Sequence, residues 1–192
     1  GMNHCENNSA DRELGYYWER QFCIMAYRYG KCFTPHQWGK DSSAMAFVNS
    51  SLNKYTLPDI TIWSCPGEHH EIKHKNPTSH NSIGLEFYRY NALYEFSRIT
   101  KQDVYYTIHN HNLSGGRDGK INNINHWFCA KIGTDLNLKN YAVKSIGNSY
   151  VNSKGKSGVE ILYWSMDLFY RLVDVWHIVT ARHNNLVTAE LN

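Results

Sequence analysis

The chain has 192 residues, of which 42% are hydrophobic and 14% aromatic, and its formal net charge is +3 at pH 7. This apolar and aromatic content excludes a disordered chain, and the length is sufficient for one domain with its own hydrophobic core. The small net charge does not demand a nucleic-acid partner, although a basic surface confined to one cleft is compatible with it. We therefore predict a single domain over residues 1–192.

Cysteine usage and hydropathy bear on the cellular compartment. The five cysteines are odd in number and include no Cys-x-x-Cys pair, which argues against a disulfide framework or a zinc knuckle. No apolar run is long enough to span a bilayer, and the first ten residues are too polar for a signal peptide. These features predict a cytoplasmic protein with no membrane partner.

The first regular element is predicted over residues 11–29, after a polar and frayed segment of ten residues. Apolar side chains recur there every three or four positions, and Gly30 is a typical helix stop. The predicted buried stripe contains Leu14, Trp18, Phe22, Met25 and Tyr29. Residues 31–54 are polar and irregular, with a short helix expected over residues 43–52.

Residues 57–75 have the pattern of two β-strands joined by a tight turn. Ile60 and Ile62 favour a strand, and Pro66-Gly67 is a turn signal. Polar and apolar residues alternate again from His69 onwards. A hairpin is the predicted structure of this segment.

Strand alternation brings ionisable side chains of this hairpin together. Glu71 and Lys73 point to one face, whereas Ile72 points to the other. Asp59 stands at the start of the preceding strand, so hairpin pairing brings its carboxylate towards that of Glu71. Two carboxylates are hard oxygen ligands that suit Mg²⁺, and a lysine beside them can orient an attacking water.

Beyond the hairpin, a helix is predicted over residues 82–100 and a strand over residues 103–111. The buried stripe of this helix is expected to contain Leu85, Tyr88, Ala92, Phe96 and Ile99. In the strand, Val104 and Ile108 alternate with polar neighbours. The predicted order is helix, strand, strand, helix, strand.

Pro58-Asp59 and Glu71-Ile72-Lys73, in this order and in a strand–turn–strand context, resemble the PD-(D/E)XK (restriction-endonuclease-like) nuclease superfamily. The resemblance implies an α/β (α+β) fold with an αββαβ core, in which helices flank a mixed central sheet. That core covers about residues 11–111. A strand-rich C-terminal extension follows over about residues 112–192.

The resemblance also implies an activity, a metal-dependent hydrolysis of phosphodiester bonds in DNA or, less often, RNA. Asp59, Glu71 and the backbone carbonyl of Ile72 are the implied ligands of Mg²⁺, for which Mn²⁺ can substitute. Lys73 is the implied catalytic lysine. Glu19, on the first helix, either reaches the metal directly or through water, or is an ordinary surface glutamate. Cleavage of both strands of a duplex would favour a homodimer.

Further residues are candidates for the substrate cleft. His109 and His111 end the last strand of the core; they are either solvated, or cleft residues, or part of a zinc site whose other ligands the sequence does not identify. Arg117 and Lys120 can touch a nucleic-acid backbone, and Lys75 is a further cleft candidate. His70 and His74 lie opposite the Glu71 face and are predicted to be packing residues.

The C-terminal part is strand-rich and aromatic. Residues 141–150 and 159–164 are expected to form a hairpin around a basic turn. A short helix over residues 166–172 and a last strand over residues 173–180 complete the predicted elements.

Three alternatives to a nuclease remain open on the sequence. The same fold can serve as a catalytically silent nucleic-acid-binding or assembly protein. The histidine and tryptophan content also suits a histidine-rich metalloenzyme or a sugar-binding β-protein. Finally, the short motif can be an accidental match on a solvated hairpin. The distinguishing feature is whether the carboxylates of Asp59 and Glu71 lie close enough to share one ion.

Overall fold

The computed structural model describes residues 4–36, 57–147, 151–152, 155–156 and 159–178. The helix predicted over residues 43–52 lies outside these ranges. Within them, the helices are α1 (His4–Arg28), α2 (Phe87–Thr100) and α3 (Leu172–Val175). Short 3₁₀ turns lie at His111–Ser114, Ile124–His126 and Met166–Leu168.

The strands of the described ranges form three sheets. They are β1 (Phe33–Pro35), β2 (Ile60–Ile62), β3 (Glu68–Lys75), β4 (Ser82–Glu86), β5 (Asp103–Asn110), β6 (Trp127–Lys131), β7 (Val143–Gly147), β8 (Val151–Asn152), β9 (Gly155–Lys156), β10 (Val159–Ser165) and β11 (Tyr170–Arg171). A six-stranded sheet has the order β1-β2-β3-β5-β6-β11, a three-stranded sheet has the order β4-β10-β7, and β8 pairs with β9.

The six-stranded sheet is mixed. Strands β3 and β5 are parallel, with Glu71 opposite Tyr106, whereas its other neighbouring pairs are antiparallel. Parallel neighbours need a crossover connection, and the chain between β3 and β5 supplies it through β4 and α2. The predicted β2–β3 hairpin is confirmed, because Ile60 pairs with His70 and Ile62 with Glu68. The protein is therefore a mixed α/β fold with a central sheet and flanking helices.

Both faces of the central sheet are covered. On one face, the α1 side chains of Trp18, Phe22 and Met25 share a core cluster with Ile72 and Trp127. On the other face, a second core cluster joins α2 and the three-stranded sheet to the central sheet. Its buried residues include Leu85, Tyr90, Leu93, Tyr106, Ile108 and Trp164. The side chains of successive β5 residues therefore belong to different clusters, one on each face of the sheet. This burial on both faces is typical of strands next to a parallel pair.

The start of α1 and the start of α2 differ from the prediction. Helix α1 begins at His4, so the expected frayed segment is largely helical. The helix predicted from residue 82 begins only at Phe87, because residues 82–86 form β4 and pair with β10. The alternation of Ile83 and Leu85 around Gly84 suits a strand, and the long-range pairing decides the outcome over local helical spacing.

The buried side of α2 is shifted accordingly. Tyr88 is 49% exposed and Ile99 is 41% exposed, whereas Tyr90 and Leu93 are buried.

Near the C-terminus, the predicted hairpin is confirmed by the antiparallel pairing of β7 with β10. The predicted strand over residues 173–180 is wrong as far as the structure describes it, since Leu172–Val175 is helical. No helix in the described ranges has the length and apolar character needed to cross a membrane.

Candidate active site

Asp59 lies where the ladder between β2 and β3 ends. The last antiparallel pair at this end joins Ile60 to His70. Two residues further along β3, the backbone N–H of Ile72 donates a hydrogen bond to Oδ2 of Asp59 at 2.7 Å instead of to a strand carbonyl. The carboxylate of Asp59 thus occupies the opening between the diverging strands, beside the residue that follows Glu71.

The carboxylate of Glu71 is buried, with 2% of the residue exposed, and two cations approach it. Nη1 of Arg89, on α2, donates to Oε1 at 3.0 Å. Nζ of Lys73 lies 3.8 Å from the same oxygen. Burial of an ionised carboxylate is costly unless it is paired and hydrogen-bonded, so these contacts explain how Glu71 is accommodated. Neither contact uses Oε2.

Three carboxyl groups influence one another at this point. Burial raises the pKa of Asp59 well above its usual range, and the charges of Glu71 and Glu19 raise it further against the opposing effects of Lys73 and the Ile72 N–H. The pKa of Glu19 is raised to about 7 by burial and by Glu71, with Lys73 and Arg20 acting in the opposite direction. Asp59, Glu71 and Glu19 therefore form one acidic cluster between α1 and the central sheet.

A cleft opens beside this cluster. It has a volume of about 370 Å³, and its lining includes Glu19 and Gly15 on α1 and Lys73 on β3. A Cβ atom added at Gly15 would meet no atom within 4 Å, so this glycine leaves open space in the cleft wall. Lys73 thus contacts the acidic cluster on one side and the cleft on the other.

The donor set suits a hard divalent cation. Oδ1 of Asp59 and Oε2 of Glu71 are not used by the contacts given above. The N–H and C=O of a strand residue point to the same edge, so the carbonyl of Ile72 is directed to the edge at which its N–H meets Asp59. No group of three or more His, Cys, Asp or Glu side chains in the described ranges is arranged to hold a metal. Carboxylate and main-chain oxygens are donors of the kind that Mg²⁺ prefers.

Arg89 is the contact of this site that sequence reasoning missed. It is the third residue of α2 and lies 18 positions after Glu71, on a crossover element whose orientation local patterns do not reveal. One signal was available, because a glutamate on a strand covered on both faces needs a cationic partner. The sequence offered several arginines and no basis for choosing among them.

His109 is buried with 0% exposure, so the solvated interpretation is wrong for it. Its ring stacks on Trp18 at a centroid distance of 3.7 Å, and its Nδ1 lies 2.9 Å from Nδ1 of His74. Burial lowers the pKa of His109 to about 3, and the neighbouring imidazoles of His74, His126 and His111 contribute to this. The imidazole is therefore neutral at pH 7.

The other histidine candidates lie around this pair. His111 begins a 3₁₀ turn instead of continuing β5, so it does not share a strand face with His109; its ring lies 4.8 Å from that of His74. His74 donates from Nε2 to the carbonyl of Arg117 at 2.9 Å and lines the cleft. His70 is fully buried and packs against Phe22, which confirms its predicted role in packing.

The two basic cleft candidates lie in different places. Arg117 lines the cleft and forms an ion pair with Asp11 of α1, which lines it as well. Lys75 donates from Nζ to the carbonyl of Gly84 at 2.9 Å and lines a separate cavity of about 230 Å³ next to the three-stranded sheet. The structure therefore brings Arg117 to the acidic cluster's cleft and Lys75 to a different cavity.

No protein-family model matches this chain, and no curated protein matches it at a significant level. Among solved structures, the chain is similar to a Holliday junction resolvase, Hjc from the archaeal hyperthermophile Archaeoglobus fulgidus. The similarity covers 85% of this chain and 96% of that chain, with a TM-score of 0.49 and 10% sequence identity. Similarity of this extent transfers neither residues nor activity.

Proposed function

We propose that this protein is a metal-dependent nuclease with a restriction-endonuclease-like core, and that it hydrolyses phosphodiester bonds of nucleic acid, with DNA as the preferred polymer. The observation that carries the proposal is the arrangement of Asp59 beside β3. Its carboxylate accepts a hydrogen bond from Ile72, and the next residue, Lys73, lies 3.8 Å from Glu71. Lys73 also lines the cleft described above, together with Glu19.

The element order supports the same assignment. With β1 and β4 as additional strands, α1, β2, β3, α2 and β5 follow the αββαβ order of that core, and β3 is parallel to β5. The strands from β6 onwards would form the C-terminal extension. We treat the whole chain as one nuclease domain.

The residues that would hold the ion are Asp59, Glu71 and the carbonyl of Ile72. A bound Mg²⁺ or Mn²⁺ supplies Lewis-acid chemistry, which neutralises phosphate charge and makes a water molecule a better nucleophile. The ammonium group of Lys73 orients that water and stabilises the charge that develops on the phosphate. Glu19 faces the same cleft and orients water there through its carboxyl group. Cleavage of both duplex strands would need two sites, which a two-fold homodimer supplies.

A catalytically silent nucleic-acid-binding protein is the second candidate. One observation favours it, namely that Arg89 and Lys73 already compensate the charge of Glu71. A site of this kind could remain without metal and bind a polyanion through Lys73 and Arg117. The wild type separates the two candidates, because only a nuclease cleaves in a divalent-dependent way; neutralising a carboxylate should abolish that cleavage in a nuclease, whereas in the silent protein it should only favour binding of nucleic acid.

Cleavage assays with fluorescent oligonucleotides test the proposal. Duplex DNA, single-stranded DNA, four-way junctions and RNA are incubated with Mg²⁺, Mn²⁺ or EDTA. We expect divalent-dependent cleavage that Asp59→Asn and Glu71→Gln abolish. Asp103→Asn is the matched control, since Asp103 forms an exposed ion pair with Lys131 at the start of β5. Cleavage that persists in both variants would disprove the assignment; no cleavage by the wild type, together with tighter binding by the variants, would favour the silent protein.

A further inference from the structure

The contact between Arg89 and Glu71 joins the crossover helix to the candidate metal site. The guanidinium donates to Oε1 at 3.0 Å, a distance expected for a charge-assisted hydrogen bond. The side chain of Glu71 is 2% exposed and that of Arg89 is 29% exposed, so solvent screens this pair poorly. The pair therefore has a larger electrostatic effect than an ion pair at the surface.

Other charges near Arg89 are more distant. Its Nε lies 3.9 Å from Oε2 of Glu86, which is beyond hydrogen-bond distance, and both atoms are buried without a hydrogen-bond partner in the described part of the chain. Lys73 approaches Glu71 no closer than 3.8 Å. The guanidinium of Arg89 is thus the nearest cation to Glu71 among these groups.

We infer that Arg89 is the resident counter-ion of Glu71 in the metal-free protein, and that its charge weakens the binding of a divalent cation at Asp59 and Glu71. The inference rests on the proposed metal site. Arg89 is a positioning residue here, because it acts on the site through the carboxylate of Glu71.

The physical argument concerns like charges around one carboxylate. A divalent cation held by Glu71 would lie close to the guanidinium of Arg89, and the buried position of Glu71 would limit screening by solvent. With an effective dielectric constant near 20, removal of one positive charge at that distance should tighten cation binding roughly tenfold or more. Lys73 remains beside Oε1 and continues to hold the carboxylate, so loss of positioning should not cancel this gain.

Arginine variants and one spectroscopic measurement test the inference on nucleic-acid-free protein. The Mn²⁺ affinity is measured by titration calorimetry for the wild type, Arg89→Gln, Arg89→Lys and Arg98→Gln. Arg98 is the matched control, because it lies on the same helix and pairs with Glu95 at the surface, where its side chain is 56% exposed. We expect Arg89→Gln to bind Mn²⁺ about tenfold more tightly. Arg98→Gln should not differ from the wild type, and Arg89→Lys should lie close to the wild type because the charge is kept.

The calorimetric results distinguish failure of the proposed role of Arg89 from failure of the proposed metal site. Unchanged or weaker Mn²⁺ binding by Arg89→Gln, with clear binding by the wild type, rejects the role of Arg89 and leaves the metal site intact. Absence of Mn²⁺ binding by wild type and variants alike rejects the metal site, and the inference with it.

A measurement on the wild type covers the case in which Arg89→Gln does not fold. In protein with ¹⁵N-labelled arginine, addition of Mg²⁺ should shift the side-chain signal of Arg89 and leave that of Arg98 unchanged. Arg89→Lys identifies the signal by its loss. An unshifted Arg89 signal at Mg²⁺ saturation would overturn the inference.

Discussion

The main-chain N–H of Ile72 donates to the side chain of Asp59 at 2.7 Å, at the point where β2 and β3 separate. A carboxylate here serves two purposes with opposite effects on stability. It satisfies a strand donor that would otherwise have no partner, and it adds negative charge beside Glu71 and Glu19. Substitutions at Asp59 can separate these effects.

We expect Asp59→Asn to raise the melting temperature of the metal-free protein, because an amide oxygen still accepts the hydrogen bond and the like-charge repulsion is removed. Asp59→Ala removes the acceptor as well, which costs about 1–3 kcal/mol for a buried donor left unsatisfied. It should therefore melt below Asp59→Asn. Thermal unfolding in EDTA measures the melting temperatures of both Asp59 variants. Asp103→Asn is the control, because Asp103 forms an exposed ion pair. A lower melting temperature for Asp59→Asn than for wild type would contradict the repulsion argument.

The second prediction concerns the pH dependence of stability. Burial raises the pKa of Glu19 from its usual 4.5 to about 7, so between these values the folded state binds more protons than the unfolded state. The stabilisation of the folded state by protonated Glu19 is complete below about pH 4.5 and is lost as pH rises through 7. Glu19→Gln should remove this dependence, worth on the order of 2 kcal/mol between about pH 5 and 7.5.

The contribution of Glu19 is measured as the difference in the free energy of unfolding between the wild type and Glu19→Gln. His109 has a lowered pKa and therefore contributes stability that is lost as pH falls, which opposes the effect of Glu19 in the wild type. Urea unfolding of the wild type and Glu19→Gln at each pH cancels the shared histidine contribution. Parallel stability curves for the two proteins would show that Glu19 is an ordinary surface residue.

Sequence patterns predicted the part of this site that local geometry controls. Glu71, Ile72 and Lys73 lie on one regular strand, so their alternation follows from the strand period, and the turn at Pro66-Gly67 determines the hairpin. Arg89 could not be predicted because its contact with Glu71 depends on how the crossover helix packs on the sheet.

Tertiary packing also decided one feature that the sequence assigned wrongly and one that it left open. Leu85 fits the helical spacing of the residues that follow it as well as strand alternation with Ile83, and the pairing of β4 with β10 selects the strand. For His109, the sequence left a solvated, a cleft and a zinc-site interpretation open, and the stacking of Trp18 on its ring excludes the solvated one. In both cases, the deciding partner lies far away in sequence.

The third prediction concerns the ion pair at the cleft. Asp11 and Arg117 are both more than half exposed and contact each other beside Lys73 and Glu19. If a phosphodiester backbone enters this cleft, the carboxylate of Asp11 competes with phosphate for Arg117. Asp11→Asn should raise the affinity for a DNA duplex in Ca²⁺, whereas Arg117→Gln should lower it and reduce the salt slope by about one.

The control for this pair is Asp174→Asn, because Asp174 forms a similarly exposed ion pair with Arg171, and neither residue lines this cleft. Fluorescence anisotropy over a series of salt concentrations gives the affinities. Equal effects of Asp11→Asn and Asp174→Asn would mean that only net charge matters and that the cleft does not bind the backbone.

The fourth prediction uses the open space at Gly15. A helical glycine costs about 1 kcal/mol relative to alanine, and a Cβ atom here meets nothing within 4 Å. Gly15→Ala should therefore stabilise the protein by about that amount. Gly15→Met projects a longer side chain into the cleft and should weaken nucleic-acid binding without loss of stability. Unimpaired binding by Gly15→Met would place the substrate elsewhere.

The last prediction separates catalysis from binding at Lys73. Its ammonium lies 3.8 Å from Glu71 and faces the cleft, so the proposed role is to orient the nucleophile and stabilise charge in the transition state. Lys73→Ala should lower the cleavage rate about 100-fold or more at saturating protein, as for loss of one electrostatic stabiliser, while affinity in Ca²⁺ changes little. Arg89 remains paired with Glu71, so the fold should survive. Lys131→Ala, at an exposed ion pair on β6, is the control. If Lys73→Ala binds poorly yet cleaves at the normal rate when saturated, Lys73 is a phosphate contact and the catalytic assignment is wrong.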